Sequence, residues 1–116
     1  MMLEVATLTV RPGHEAAFEQ AFEKAQRLLP GQAGYLSHEL RRAVGREPLY
    51  LLLIEWRAVD DRTLGFGQSP SHARWHELLQ AHLAEPPQPA FYRAVSPGPA
   101  TDGEAAMAGK VRNAGD

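Results

Sequence analysis

At 116 residues, with 44% apolar and 22% charged side chains, the chain has the composition of one globular domain. A net charge of −2, with arginines scattered along the chain, leaves no electrostatic footprint for nucleic acid or an anionic membrane. The lack of cysteine excludes disulfides, thiolate metal sites and a cysteine nucleophile.

The opening MMLEVATLTV carries neither a basic region nor a long apolar one, so no signal peptide is expected. No apolar run approaches the ~20 residues of a membrane span, and the expected location is the cytoplasm. Residues 3–10 are β-branched and apolar and stop at Pro12-Gly13, which predicts a strand and a turn. Residues 15–29 then place Phe18, Phe22, Ala25 and Leu29 on one helical stripe, closed by Pro30-Gly31. Residues 35–43 and 49–56 form a hairpin of strands around the turn at 44–48. A second helical region spans 60–84, and a last strand 90–95 follows the proline-rich break at 86–89. The order β-α-β-β-α-β predicts an α+β, ferredoxin-like fold with an antiparallel sheet and both helices on one face. The folded domain is expected over residues 1–95. Residues 96–116 are rich in Gly, Ala and Pro and predict a flexible tail with a short helical turn at 104–108.

The run LYLLLIEW at 49–56 lacks the alternation of a strand with one solvated face. A second cover is needed for that sheet, and a homodimer packed sheet to sheet supplies it. A central strand buried beneath a long tail is the alternative.

Between Gly65 and Leu83 the chain reads GFGQSPSHARWHELLQAHL. Ser69 and Pro70 suit an N-cap and first helical position, predicting a helix over 70–84. Trp75, Leu79 and Leu83 form its apolar stripe. At 100° per residue, His72 falls between Leu79 and Leu83 and His76 just beyond Leu83, so both are expected inward, and His82 lies on the other flank. Histidines four apart can chelate a metal, yet Ala73 removes the HExxH pattern and no third ligand is at hand unless Glu55 or His38 folds close. No metal is expected. Packed histidines bonded to backbone or to each other fit the spacing, as does a pocket role. Gly65-Phe66-Gly67 follows no strand and is no dinucleotide fingerprint. Glu39 and Glu55 fit exposed partners of Arg41 or Arg57 better than a catalytic pair.

The segments GYLSHEL (34–40), LIEW (53–56), Gly65-Phe66 with Ser69-Pro70, and Trp75 followed by Leu78-Leu79 resemble the antibiotic biosynthesis monooxygenase (ABM) superfamily. The resemblance covers nearly all of residues 2–95 and implies a dimeric α/β barrel of two ferredoxin-like sheets. One branch of that superfamily oxidises phenols or quinols with O2 and no metal or flavin. Trp56 matches a pocket tryptophan of that branch, whereas Leu52 and Arg62 stand near the positions of its asparagine and tyrosine. A second branch binds and degrades haem. His76 aligns with its axial histidine and Ser69 with an intervening serine, but Phe66 replaces a tryptophan and Ala6 (or Thr7) an asparagine. The resemblance implies a cofactor-independent oxygenase of a small aromatic substrate. A haem-binding protein using His76 and a non-catalytic dimeric binding module are the alternatives. The candidate catalytic groups are His72 and His76. The candidate substrate contacts are Trp56, Phe66, Trp75, Tyr50 and His38.

Overall fold

Alternation along the first strand, β1 (Met2–Thr9), buries Glu4, Ala6 and Leu8 on one side and turns Leu3, Val5 and Thr7 to the other. A computed structural model of the chain describes residues 1–96 and 98. In it β1 lies inside a four-stranded antiparallel sheet with β2 (Tyr35–Arg42), β3 (Leu49–Trp56) and β4 (Gln88–Tyr92), in the order β2-β3-β1-β4. Register places Glu4 opposite Ile54, Ala6 opposite Leu52 and Leu8 opposite Tyr50. Facing residues of antiparallel strands share a side, so these six line one face together.

Two helices cover that face. The first, α1 (Glu15–Ala25), buries Phe18, Phe22 and Ala25 and tightens into a 3₁₀ turn over Gln26–Leu28, where a continuous helix to residue 29 was expected. The second, α2 (Pro70–Leu79), begins at Ser69, whose Oγ accepts from the backbone N–H of His72 at 3.2 Å. The expected cap is present, but the helix ends at Leu79 and continues as a 3₁₀ turn over Gln80–His82. That turn lets Leu83 reach back and bridge to Val10. Strand β4 starts two residues earlier than expected. Its Pro89 lacks an N–H, which an edge strand tolerates. This α+β, ferredoxin-like arrangement is the one the element order predicts.

β3 also alternates strictly, despite its unbroken apolar sequence. Tyr50, Leu52, Ile54 and Trp56 are buried beneath the helices, while Leu49, Leu51 and Leu53 lie half-buried on the opposite face. Leu3, Val5, Ala90 and Tyr92 share that outer face, and Tyr92 is exposed. Among the described residues no helix is long and apolar enough to cross a membrane. The expected flexible segment 96–116 lies outside the described residues, save Ser96 and Gly98.

Candidate active site

Between β3 and α2 the chain makes two unusual turns. Asp61–Gly65 is a single π-type turn and Phe66–Gln68 a 3₁₀ turn. They bring Arg62 and Phe66, four residues apart, to the inner face of the sheet. Phe66 is almost wholly buried, stacked on Trp56 with ring centroids 5.8 Å apart and meeting Trp75 edge-on at the same distance. The guanidinium of Arg62 lies over the Phe66 ring at 5.6 Å. Gly67 permits this approach, because a Cβ there would stand 2.8 Å from the carbonyl oxygen of Arg62 and 2.9 Å from its Nη1.

Between the sheet and α2 lies a cavity of about 480 Å³, within the usual range of small-molecule sites. Ala6, Leu8, Leu52 and Ile54 form its floor, Leu79 and Leu83 one side, and Phe66 and Trp75 an aromatic wall. Charged and polar side chains, Arg62 and Gln80 among them, complete its lining. His72 packs edge-on against Phe66 at 5.2 Å. Its pKa is held below the ordinary imidazole value, first by burial and then by the nearby charges of Arg62 and His76. His72 is therefore neutral at neutral pH and free to accept a proton.

At another part of the wall Glu4 is 3% exposed. Its Oε1 accepts from Trp56 Nε1 at 2.9 Å and from Arg62 Nε at 3.0 Å. A carboxylate withdrawn from water needs such partners. Arg11 and Glu85 also border the cavity.

The structure gathers some of the sequence candidates and separates others. His72, His76, Phe66 and Trp75 border one cavity. His76, expected inward, is exposed, although it borders the cavity. Trp56 does not line the cavity. It is completely buried behind Phe66 and reaches the site through its bond to Glu4. Tyr50 does face the helices, but six residues along β3 from Trp56 it lies under α1. There it borders a separate hollow with His38 and Glu19. Tyr50 donates to Glu19 Oε2 at 2.6 Å, and its pKa is raised to about 12 by burial and by that carboxylate. His38 bonds Tyr35 Oη through Nδ1 at 2.6 Å and Gln26 Oε1 through Nε2 at 2.8 Å, and burial lowers its pKa. Both ring nitrogens are thus committed to the protein. His82 pairs with His14, Nδ1 to Nδ1, at 3.3 Å. Glu39 binds Arg41 as expected, whereas Glu55 accepts from Ser37 rather than from Arg57.

Among the described residues no three His, Asp or Glu side chains converge as a metal site requires. Sequence reasoning missed Glu4. A glutamate in a strand of mixed polarity reads as solvated, and the only signal that could have found it was its even-numbered phase with Ala6 and Leu8.

Comparison with known proteins adds four findings. Residues 1–78 match the family model of the antibiotic biosynthesis monooxygenases. The Bacillus subtilis (strain 168) protein YczJ is 38% identical over 79 residues, covering 68% of this chain and 83% of its own. A Bordetella bronchiseptica structure assigned to the antibiotic biosynthesis monooxygenases is 32% identical, with a TM-score of 0.79 over 82% of this chain and 97% of that one. SnoaB from Streptomyces nogalater, a cofactor-independent oxygenase, shares the fold at 21% identity, with a TM-score of 0.74 over 84% of this chain and 96% of its own.

Proposed function

The chain belongs to the antibiotic biosynthesis monooxygenase family, and from that membership we propose that it is a cofactor-independent monooxygenase of a small aromatic, quinol-type substrate. The observation that carries the reading is a neutral His72 set in the wall of a cavity with an apolar floor and an aromatic side. Trp75 offers ring surface to a planar substrate beside the buried Phe66. His72 takes a hydroxyl proton from it, leaving an electron-rich anion whose charge water no longer stabilises. That anion reduces O2. One oxygen atom enters the ring and the other leaves as water, so the substrate itself supplies the four electrons and no flavin or metal is required.

Haem through His76 fits the residues poorly. His76 is exposed and no bond from a described residue orients its ring, whereas an axial histidine is ordinarily fixed through its second nitrogen. The reading also includes a homodimer, with a second copy covering the apolar outer face of Leu3, Val5, Leu51 and Leu53. Leu53→Glu would then release monomers in light scattering. Oxygen uptake with 1,4-dihydroxynaphthalene or anthrone tests the enzyme itself. Uptake lost in His72→Gln supports the reading, and uptake equal to that of wild type removes His72 from the chemistry. A hemin titration with a saturable Soret shift lost in His76→Ala would move the assignment to haem.

A further inference from the structure

Among the described residues Glu4 is the one buried charged acceptor on the cavity wall, and only half of it is used. Oε1 receives both Trp56 Nε1 and Arg62 Nε, at 2.9 and 3.0 Å. Among the described residues no donor reaches Oε2. The Arg62 fork could close on both oxygens in the bidentate manner usual for such pairs, as Arg41 does on Glu39. Instead it binds through Nε alone and lies across Phe66. A carboxylate whose side chain is 4% exposed, with an oxygen that takes no bond, carries a desolvation cost that a ligand donor can remove.

We propose that Glu4 is the substrate anchor of this cavity, its Oε2 accepting a hydrogen bond from a ring hydroxyl of a neutral phenolic ligand. The inference rests on the aromatic-substrate reading above and adds what the site selects. Arg62 and Trp56 hold the carboxylate in place through Oε1, so Glu4 orients a hydroxyl while His72 is the group that takes a proton. The unbonded carboxylate oxygen also works against a carboxylate placed at that point of the wall, which brings a like charge and no donor. The cavity is thereby specific for hydroxyl-bearing rings.

Calorimetric titrations under nitrogen, where no turnover occurs, test this with 1-naphthol, 1-methoxynaphthalene and 1-naphthoate. For the wild-type protein 1-naphthol should bind at least about tenfold more tightly than the methyl ether, the size of a hydrogen bond to a charged acceptor. 1-Naphthoate should bind more weakly than either. In Glu4→Gln the gap between naphthol and ether should shrink to within about twofold and naphthoate should gain. Equal affinities in the wild type, or a gap that persists in the variant, would overturn the anchor. Should Glu4→Gln not fold, the Glu4 carboxyl resonance of the ¹³C-labelled wild type must move with naphthol and stay with the ether; the reverse is equally fatal. Oxygen uptake judges the other reading separately. A hydroxyl preference that depends on Glu4 without any oxygen uptake keeps the anchor and discards the oxygenase.

Discussion

The same three-part cluster occurs twice on the inner face of the sheet, and the two copies differ in what surrounds them. Under α2, Glu4 accepts from the ring N–H of Trp56 and from Arg62. Under α1, Glu19 accepts from the hydroxyl of Tyr50 and from Arg42. The aromatic donors are the two ends of one strand face. Glu4 and Arg62 have side chains 4% and 15% exposed, against 48% and 42% for Glu19 and Arg42. Water competes for the second cluster and screens it, whereas the first is surrounded by Phe66, Ile54 and the rest of an apolar wall. Identical chemistry thus makes a ligand-facing polar group in one hollow and a surface ion pair in the other. Burial, not residue type, decides which.

That contrast can be broken by experiment, starting with the largest effect. His72→Gln should lower turnover of a quinol by about 10²- to 10⁴-fold, the usual contribution of a positioned base. Glu19→Gln, in the other hollow, should leave turnover within about twofold, because its charge is already screened by water; oxygen-electrode rates decide both. Next, Glu4→Gln should destabilise the fold by about 3 kcal/mol, since it leaves the Arg62 charge buried without a counter-charge. Glu19→Gln should cost less than about 1 kcal/mol. Equal costs in urea denaturation would mean the two clusters are not different in kind. Ser69→Ala removes the cap that starts α2, the wall of the first hollow, and should cost about 1 kcal/mol in the same measurement.

The smallest effect is on pH. His72 and His38 both have folded pKa values lowered by burial. Below the unfolded imidazole value of about 6.5, the unfolded chain binds more protons than the folded one. Their stabilising contribution is therefore intact above that pH and is lost as pH falls through the folded values. Denaturation curves at pH 7 and pH 5 should differ, and by less in His72→Gln and in His38→Gln than in wild type. In wild type the acid limb of kcat/KM should likewise lie below the ordinary imidazole range.

The fold was largely legible because each element announces itself locally. Phe18, Phe22 and Ala25 repeat at helical spacing, and Ser69-Pro70 marks a start. The ends were less so: Leu29, Leu83 and Pro89 sit where long-range contacts, not local propensity, decide the geometry. The site was only half legible. His72 and Trp75 share one helix, so phase brings them together, and Phe66 joins them from the turn just before it. Glu4 and Arg62 are 58 positions apart, and nothing local pairs them. Tyr50 and Trp56 share a strand face, so parity alone cannot separate the hollows they serve. His76 follows its stripe in angle, but the cavity opens there and leaves it in solvent.

Gly67 gives the arginine its resting place, and this makes the site adjustable from a position outside the cavity lining. A single added methyl at residue 67 meets the Arg62 carbonyl oxygen at 2.8 Å and its Nη1 at 2.9 Å, so the backbone of the turn and the guanidinium must both shift. Gly67→Ala therefore displaces Arg62 together with the turn that carries it, without deleting either charge. Natural drift or a designer could retune the polarity of this cavity by that one carbon, keeping every group that lines it.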